Sequence, residues 1–258
     1  MPILKKRTLL VNQMTTFQYK RAPIIEAVVE FRSDDPVDNK KRAKALKKLN
    51  RFYTNHQPIS QHDLEVKISD GQPPTTQSVE VIIDRLSSAD MTEQLHIRDI
   101  AFLSSQLAPY HGWEAFRERI TRDWNIWRGT VGFRPITRIG MRYINRIDLP
   151  ALGDEVRYED YVSIYPNLPP LLDPCLSHTV SVNVAIPDID AILTLKTAIV
   201  ESPLPNHLSI MVDLDIKKTF QTPPSDEEIF SFIDQARIKK NEAFESCIKD
   251  KARDIFKL

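Results

Sequence analysis

Glycine is scarce in this chain, with six residues among 258. None of GxGxxG, GxxxxGK[ST] or GxSxG occurs, which excludes nucleotide-binding loops and nucleophile elbows in their usual forms. Cysteine is scarcer still: Cys175 and Cys247 form no CxxC or other metal spacing, a usage that suits a reducing compartment and buried thiols. The six histidines show no HExxH and no HxH, so a dedicated zinc site is not expected. No stretch approaches the ~20 apolar residues of a membrane span. The opening MPILKKRTLLVNQ is basic, but its LLV run is too short for a secretory core. These absences point to a cytoplasmic protein without metal or cofactor.

An excess of charge is also missing. Lysine plus arginine and aspartate plus glutamate number 35 each, so a nucleic-acid partner would have to be held by a local patch. What the chain does have is length enough to bury a core without staples.

Hydrophobic periodicity divides the chain into two similar series. APIIEAVVEFR (22–32) is apolar and β-branched enough for a buried strand, with Pro23 tolerated at its start. A basic helix is predicted over 37–56, with Ala43, Leu46, Leu49 and Phe52 on one face and a solvated lysine run opposite. LEVKI (64–68), SVEVIIDRL (78–86), EQLHIRD (93–99) and IAFLSSQ (100–106) read as three or four antiparallel strands, with DGQPPTT and SSAD as loops. In 112–129, Trp113, Phe116, Ile120, Trp124 and Trp127 fall at helical spacing, and Gly129 is the expected stop. Such an aromatic stripe reads as core covering a sheet.

The second series opens with RIGMRYINRIDLP (138–150). A short helix is expected over 157–167, closed by Pro166, and strands over 176–186, 191–201 and 208–220. A final helix starts in PPSDEE, where Ser225 as N-cap and Glu228 three residues later make a capping box. It is predicted to run from Asp226 nearly to the C-terminus on a stripe of Ile229, Ile233, Ala236, Phe244, Cys247 and Ile248. The fold class is therefore α+β: two pseudo-repeated β-α-β(3–4)-α units forming a mainly antiparallel sheet backed by long amphipathic helices, with the layout of the TATA-binding-protein fold. The expected boundaries are a poorly ordered extension over 1–18, a first half over 19–131 and a second over 132–258.

The sharpest chemical feature is a basic ladder. In an extended 138–150, Arg138, Gly140, Arg142, Ile144 and Arg146 share one face, while Ile139, Met141, Tyr143, Asn145 and Ile147 share the other. Glu26 and Glu30 carry the same four-residue spacing on the first strand. One reading pairs them with Arg142 and its neighbours across the sheet, at roughly 0.2–1 kcal/mol per pair. The other leaves the guanidinium groups to capture phosphate, carboxylate or an acidic protein surface. Tyr143 and Asn145 are read as organisers of the core that need polar partners. The pairs Asp188/Asp190 and Asp213/Asp215 resemble DxD metal motifs, yet alternation sets Asp213, Asp215 and Lys217 on a solvated face, with Val212, Leu214 and Ile216 inward.

Three patches, YKRAPIIEAVVEF (19–31), RIGMRYINRIDLP (138–150) and NEAFESCIKD (241–250), give the chain a resemblance to a sporadically distributed family of uncharacterised prokaryotic proteins of about this length. That family carries a leucine-histidine pair ahead of the last patch, where this chain has Arg237, Ile238 and Lys239. The resemblance implies a gene of mobile or defence islands, sometimes near CRISPR loci, and no particular activity.

The function expected is that of a non-enzymatic binding or regulatory protein in a defence or toxin–antitoxin-like system. It would engage a protein encoded nearby, a second copy of itself or a nucleic acid through the arginine face, with Arg138, Arg142, Arg146, Glu26, Glu30, Tyr143 and Asn145 as the binding residues. The alternative is an enzyme or sensor for a phosphate-containing small molecule or nucleotide, with the arginines as anion clamp and Glu26 or Glu30 as base or metal ligand.

Overall fold

A computed structural model describes residues 19–67, 75–151, 156–172 and 175–257. The expected extension over 1–18 lies outside them. Nine strands run in chain order as β1 (Ile24–Ser33), β2 (Asn55–Lys67), β3 (Thr75–Ser87), β4 (Glu93–Ile97), β5 (Ala101–Leu107), β6 (Ile136–Pro150), β7 (Thr179–Ile186), β8 (Ala191–Glu201) and β9 (His207–Thr219). Four helices accompany them: α1 (Asn39–Leu49), α2 (Trp113–Val131), α3 (Asp226–Cys247) and α4 (Asp250–Lys257). The fold is α+β, and all nine strands join one antiparallel sheet in the order β2-β3-β4-β5-β1-β6-β9-β8-β7.

The order follows from how each strand is fed. β1 and β6 pair antiparallel at the centre, with Val29 opposite Met141 and Ala27 opposite Tyr143. From β1 the chain passes through α1 to the far edge and returns by successive antiparallel neighbours until β5 lies beside β1. From β6 it again reaches an edge, at β7, and returns until β9 lies beside β6. The two central strands thus have a neighbour on each side.

Alternation decides which face is buried. On β1, Ala27, Val29 and Phe31 are at most 1% exposed, and on β6 Ile139, Met141, Tyr143 and Ile147 likewise, whereas Val28 and Glu30 on β1 and Arg142, Ile144 and Arg146 on β6 are partly open to solvent. The covered face carries the helices. Trp124 of α2 stacks on Phe31 at 4.5 Å and meets Phe102 of β5 edge-on at 5.7 Å. Each such large side chain contributes roughly 1.5–3 kcal/mol on burial.

Several helix boundaries differ from the sequence expectation, each for a local reason. α1 is shorter than 37–56: Asp38 caps it by accepting from the backbone N–H of Lys40 and Lys41, and after Leu49 the chain is recruited into β2, where Asn55 pairs with Ser87. Its buried stripe is Ala45, Leu46 and Leu49 rather than Ala43 and Phe52. Arg42, one turn earlier, reaches Asp84 and the carbonyls of Ile82 and Ile97. α2 passes through Gly129 and stops at Gly132, whose φ of +87° is the left-handed backbone that glycine tolerates best.

Two further boundaries move in the second half. The 157–167 segment makes only a 3₁₀ turn over Tyr158–Asp160. The last helix is interrupted at Ile248, which is extended and bridges Val162, while Ser163 donates to the Cys247 carbonyl and Lys249 to that of Tyr161. Backbone groups used laterally there are lost to the helix, so α3 ends and α4 begins. The Ser225–Glu228 capping box forms as read from the sequence. Among the described residues no helix is long and apolar enough to cross a membrane.

Candidate functional site

The arginine ladder projects from the helix-free face of β6, and every rung holds a carboxylate. Arg138 Nη2 donates to Glu30 at 2.7 Å. Arg142 forks onto Asp213, with Nε at 2.8 Å and Nη2 at 2.7 Å from the two oxygens. Arg146 forks onto Asp148, two residues along its own strand, at 2.9 and 3.3 Å. The Asp213 carboxylate holds the Arg142 guanidinium above its ordinary pKa, chiefly through that hydrogen bond.

This pairing amends the sequence reading in two ways. Glu30 does meet an arginine, but Glu26 stands opposite Ile144 and accepts from the Ser105 hydroxyl at 3.0 Å. Arg142 takes Asp213 instead, and that residue, expected on a solvated face, is 3% exposed. The reason is lateral: β9 lies beside β6 and brings Asp213 opposite Ile144, one step from Arg142. The remaining DxD aspartates also face cations, Asp215 with Lys217 at 2.6 Å, Asp188 with Lys239 at 2.9 Å and Asp190 with Lys218 at 3.6 Å. Among the described residues no cluster of metal-ligating side chains forms.

The opposite face of β6 leads elsewhere. Tyr143 and Asn145 point toward the helices, Tyr143 sharing a hydroxyl hydrogen bond of 3.1 Å with Tyr110 and Asn145 donating to the Val212 carbonyl at 3.0 Å. Burial keeps both phenols neutral, pushing Tyr110 up to about 12 and Tyr143 well above its usual value. Beside them opens a cavity of about 480 Å³, walled by the start of β1, the 110–114 segment, Asn145 and α3. A second cavity of about 440 Å³, near the first turn of α3, is lined by Asp188, Asp190 and Lys218, whose charges already meet one another's or Lys239's.

Two cations of α3 line the larger cavity. Lys240 is 7% exposed and makes no hydrogen bond or ion pair among the described residues; its Nζ lies 4.0 Å from the centroid of the Tyr143 ring. Arg237, one turn earlier and half-buried, likewise has no carboxylate partner among the described residues and stands 6.0 Å from the Trp113 ring centroid. Loss of water lowers the Lys240 pKa to about 7, and the neighbouring Arg237 charge pushes in the same direction, against the weaker pull of Glu245. Glu245 is committed to Arg253 at 3.2 Å and to the Tyr19 hydroxyl at 2.7 Å.

An uncompensated buried ammonium is expensive, and lysines are almost never fully buried unless paired. The sequence did contain a signal for it. The α3 stripe of Ile229, Ile233, Ala236 and Phe244 has its missing step at 240, so the helical period puts a lysine on the core face. The anion-binding capacity that one reading gave the ladder is therefore met by carboxylates of the protein itself, while the two α3 cations that line the cavity have no ion-pair partner among the described residues.

No family model matches the chain, and no curated protein matches it. Among solved structures it is similar to one described as DynU16, a protein in the dynemicin biosynthetic locus, at 11% identity over 86% of this chain and 94% of that one, with a TM-score of 0.23. A likeness at that score carries no argument about function.

Proposed function

We propose that this protein binds a small organic anion, a carboxylate or phosphate ester, in the cavity between α3 and the start of β1. One observation carries the reading: Arg237 and Lys240, on one wall of a cavity of about 480 Å³ that Glu114, Glu242 and Glu245 also line, form no ion pair among the described residues, whereas Arg138, Arg142 and Arg146 each do. The volume suits a small molecule, and the wall combines aromatic surface at Trp113 and Tyr110 with a few convergent polar groups. Neutral Tyr110 and Asn145 add hydrogen-bonding capacity without opposing a negative guest. This is the anion-clamp alternative of the sequence reading, moved from the ladder to α3.

Thermal unfolding in the presence of pyruvate, citrate and inorganic phosphate tests it. At least one of these is expected to raise the melting temperature of the native chain and to lose that effect in Arg237→Met. Equal shifts in both proteins, or none with any of the three, would sink the reading.

The same strand order supports a pseudo-repeat. Each half starts at the centre of the sheet, crosses to an edge and returns beside its own first strand, followed by a long helix, an order that supports reading the layout as like that of the TATA-binding-protein fold. The halves differ in that the first returns by four strands and has α1, while the second returns by three.

A second reading keeps the outer face of β6 as a docking surface for a protein partner in a defence-type system. It is favoured by the 45% exposure of the Arg142 side chain on a helix-free face. The carboxylates of Glu30, Asp148, Asp213 and Asp215 interleaved there favour a protein surface of mixed charge over a nucleic acid, whose phosphates they would repel. Retained partner capture by Arg142→Ala in a co-purification would argue against it.

A further inference from the structure

We infer that Lys240 is a nucleophile that condenses with the carbonyl of a small 2-oxo acid, whose carboxylate is gripped by Arg237. This rests on the anion-site reading and adds the chemical class of the ligand and a covalent step. The two cations are chemically distinct. A guanidinium keeps its charge under all working conditions and presents a planar fork matched to a carboxylate, whereas an amine can give up its proton when water is withdrawn. Set three residues apart on one helix face and on one cavity wall, they offer a fixed anchor and, one turn on, a reactive nitrogen.

The surroundings of Lys240 favour the free amine. Nζ lies over the Tyr143 ring and among the described residues no carboxylate pairs with it. The charged and titratable groups around it are Arg237 and Glu245 on α3, Tyr143 on β6, and Tyr110 and His111 ahead of α2, with Tyr19, Glu114 and Glu242 completing the cavity wall. Arg237 opposes a second positive charge, the two phenols Tyr143 and Tyr110 stay neutral, and Glu245 is spent on Arg253 and Tyr19. A pKa near 7 leaves a large fraction of the amine unprotonated at neutral pH, where an ordinary surface lysine is almost wholly charged.

The step is balanced without a co-reactant. The Nζ lone pair attacks the carbonyl carbon and the carbonyl oxygen becomes a hydroxyl, giving a carbinolamine. Both amine protons leave, by exchange through solvent, with that oxygen as water, and a C=N bond remains. Amine and ketone yield imine and water, nothing is oxidised or reduced, and water reverses the reaction.

Borohydride-type trapping reads the imine directly. The full chain is incubated at neutral pH with pyruvate and cyanoborohydride and mapped by peptide mass. The expected product is one dominant adduct, pyruvate less water plus two hydrogens, on the peptide holding Lys240. It is expected to vanish in Lys240→Arg and to fall about tenfold to a hundredfold in Arg237→Met, the worth of a charge-assisted hydrogen bond. Propanal, which has no carboxylate, is expected to label Lys240 weakly and without regard to Arg237.

Lactate, which has the carboxylate but no ketone, is expected to raise the melting temperature through Arg237 and leave no adduct. If lactate stabilises the protein through Arg237 yet pyruvate labels surface lysines as readily as Lys240, the nucleophile is overturned and the anion site stands. If propanal labels Lys240 as well as pyruvate does and lactate has no effect, the anion site and the 2-oxo acid assignment fall together, leaving a reactive lysine alone. Melting curves of Lys240→Arg and Arg237→Met alongside separate these outcomes from misfolding.

Discussion

α2 and α3 cover different parts of the same sheet face, and each buries a cation, yet the two are treated in opposite ways. Arg119 of α2 is 5% exposed, and its two terminal nitrogens reach five acceptors: the Tyr53 and Ser104 hydroxyls, the Gln94 and Ser105 carbonyls and the Gln106 side chain, at 2.7–3.4 Å. Beside it Asp123, with no exposure, accepts from Tyr53 and from Arg122. Lys240 of α3 is nearly as buried, 7%, with an aromatic ring and a cavity for company. A buried charge whose two terminal nitrogens meet five acceptors organises a fold. One without them costs stability, and such groups concentrate at functional sites.

The largest effect should come from breaking the satisfied network. Arg119→Leu would strand the Ser105 carbonyl and its neighbours and leave Asp123 with less compensation, at a cost of about 3–5 kcal/mol in denaturant unfolding. Ligand responses of the α3 cavity are expected to survive in the fraction that folds. If Arg119→Leu instead unfolds at the native midpoint, the contrast between the two helices collapses.

Lys240→Met should move stability the other way. Removing an unpaired buried amine is expected to raise stability by about 1–3 kcal/mol at neutral pH while abolishing the trapping reaction. The pH dependence sharpens this. The folded-state pKa, about 7, lies below the ordinary 10.5, so between those values the unfolded chain holds a proton that the folded chain has released. Stability contributed through this group therefore rises with pH, by about 1.4 kcal/mol per unit. The advantage of Lys240→Met over the native chain should be fullest below pH 7 and shrink toward pH 10. A difference that stays flat across that range would mean that the amine is not buried as described.

Arg142→Ala tests the ladder as a middle case. It strips Asp213 of a bidentate partner while the carboxylate stays buried, with an expected loss of about 1–3 kcal/mol and no change at the α3 cavity. The smallest change is Ser225→Ala, which removes the cap of α3 for about 1 kcal/mol and leaves the trapping reaction intact. Should Ser225→Ala abolish trapping, the position of α3 rather than the chemistry of Lys240 would control the site.

Much of the architecture could be read from the chain. Strands β8 and β9 fall within a residue of the sequence expectation, because alternation of Ile, Leu and Val with polar residues is a local pattern that only one extended face can bury. The Ser225–Glu228 box and the Trp124–Trp127 stripe were legible for the same reason. Helix ends were less so: α1 yields its last turn to β2, and the terminal helix breaks at Ile248 because distant Val162 bridges it. The site was hardest. Arg138, Arg142 and Arg146 were correctly placed on one face of a central strand, but whether they are free depends on which strand lies next to them. Lys240 reads in isolation as one of two adjacent surface lysines, Lys239 and Lys240.

The sequence alone determined the periodicities, and with them the extended or helical state of nearly every segment and the face that each turns inward, because those depend on neighbours two to four residues away. The tertiary structure alone decided the partners of the charges. Lateral strand order brings Asp213 to Arg142 across 71 positions of chain, and the path of α3 past the start of β1 leaves Arg237 and Lys240 facing a cavity without an ion-pair partner among the described residues, the glutamate Glu245 on its wall being committed to Arg253. Coulomb attraction and desolvation act through space, so the same side chain is a structural clasp or a chemical handle according to what the fold sets beside it.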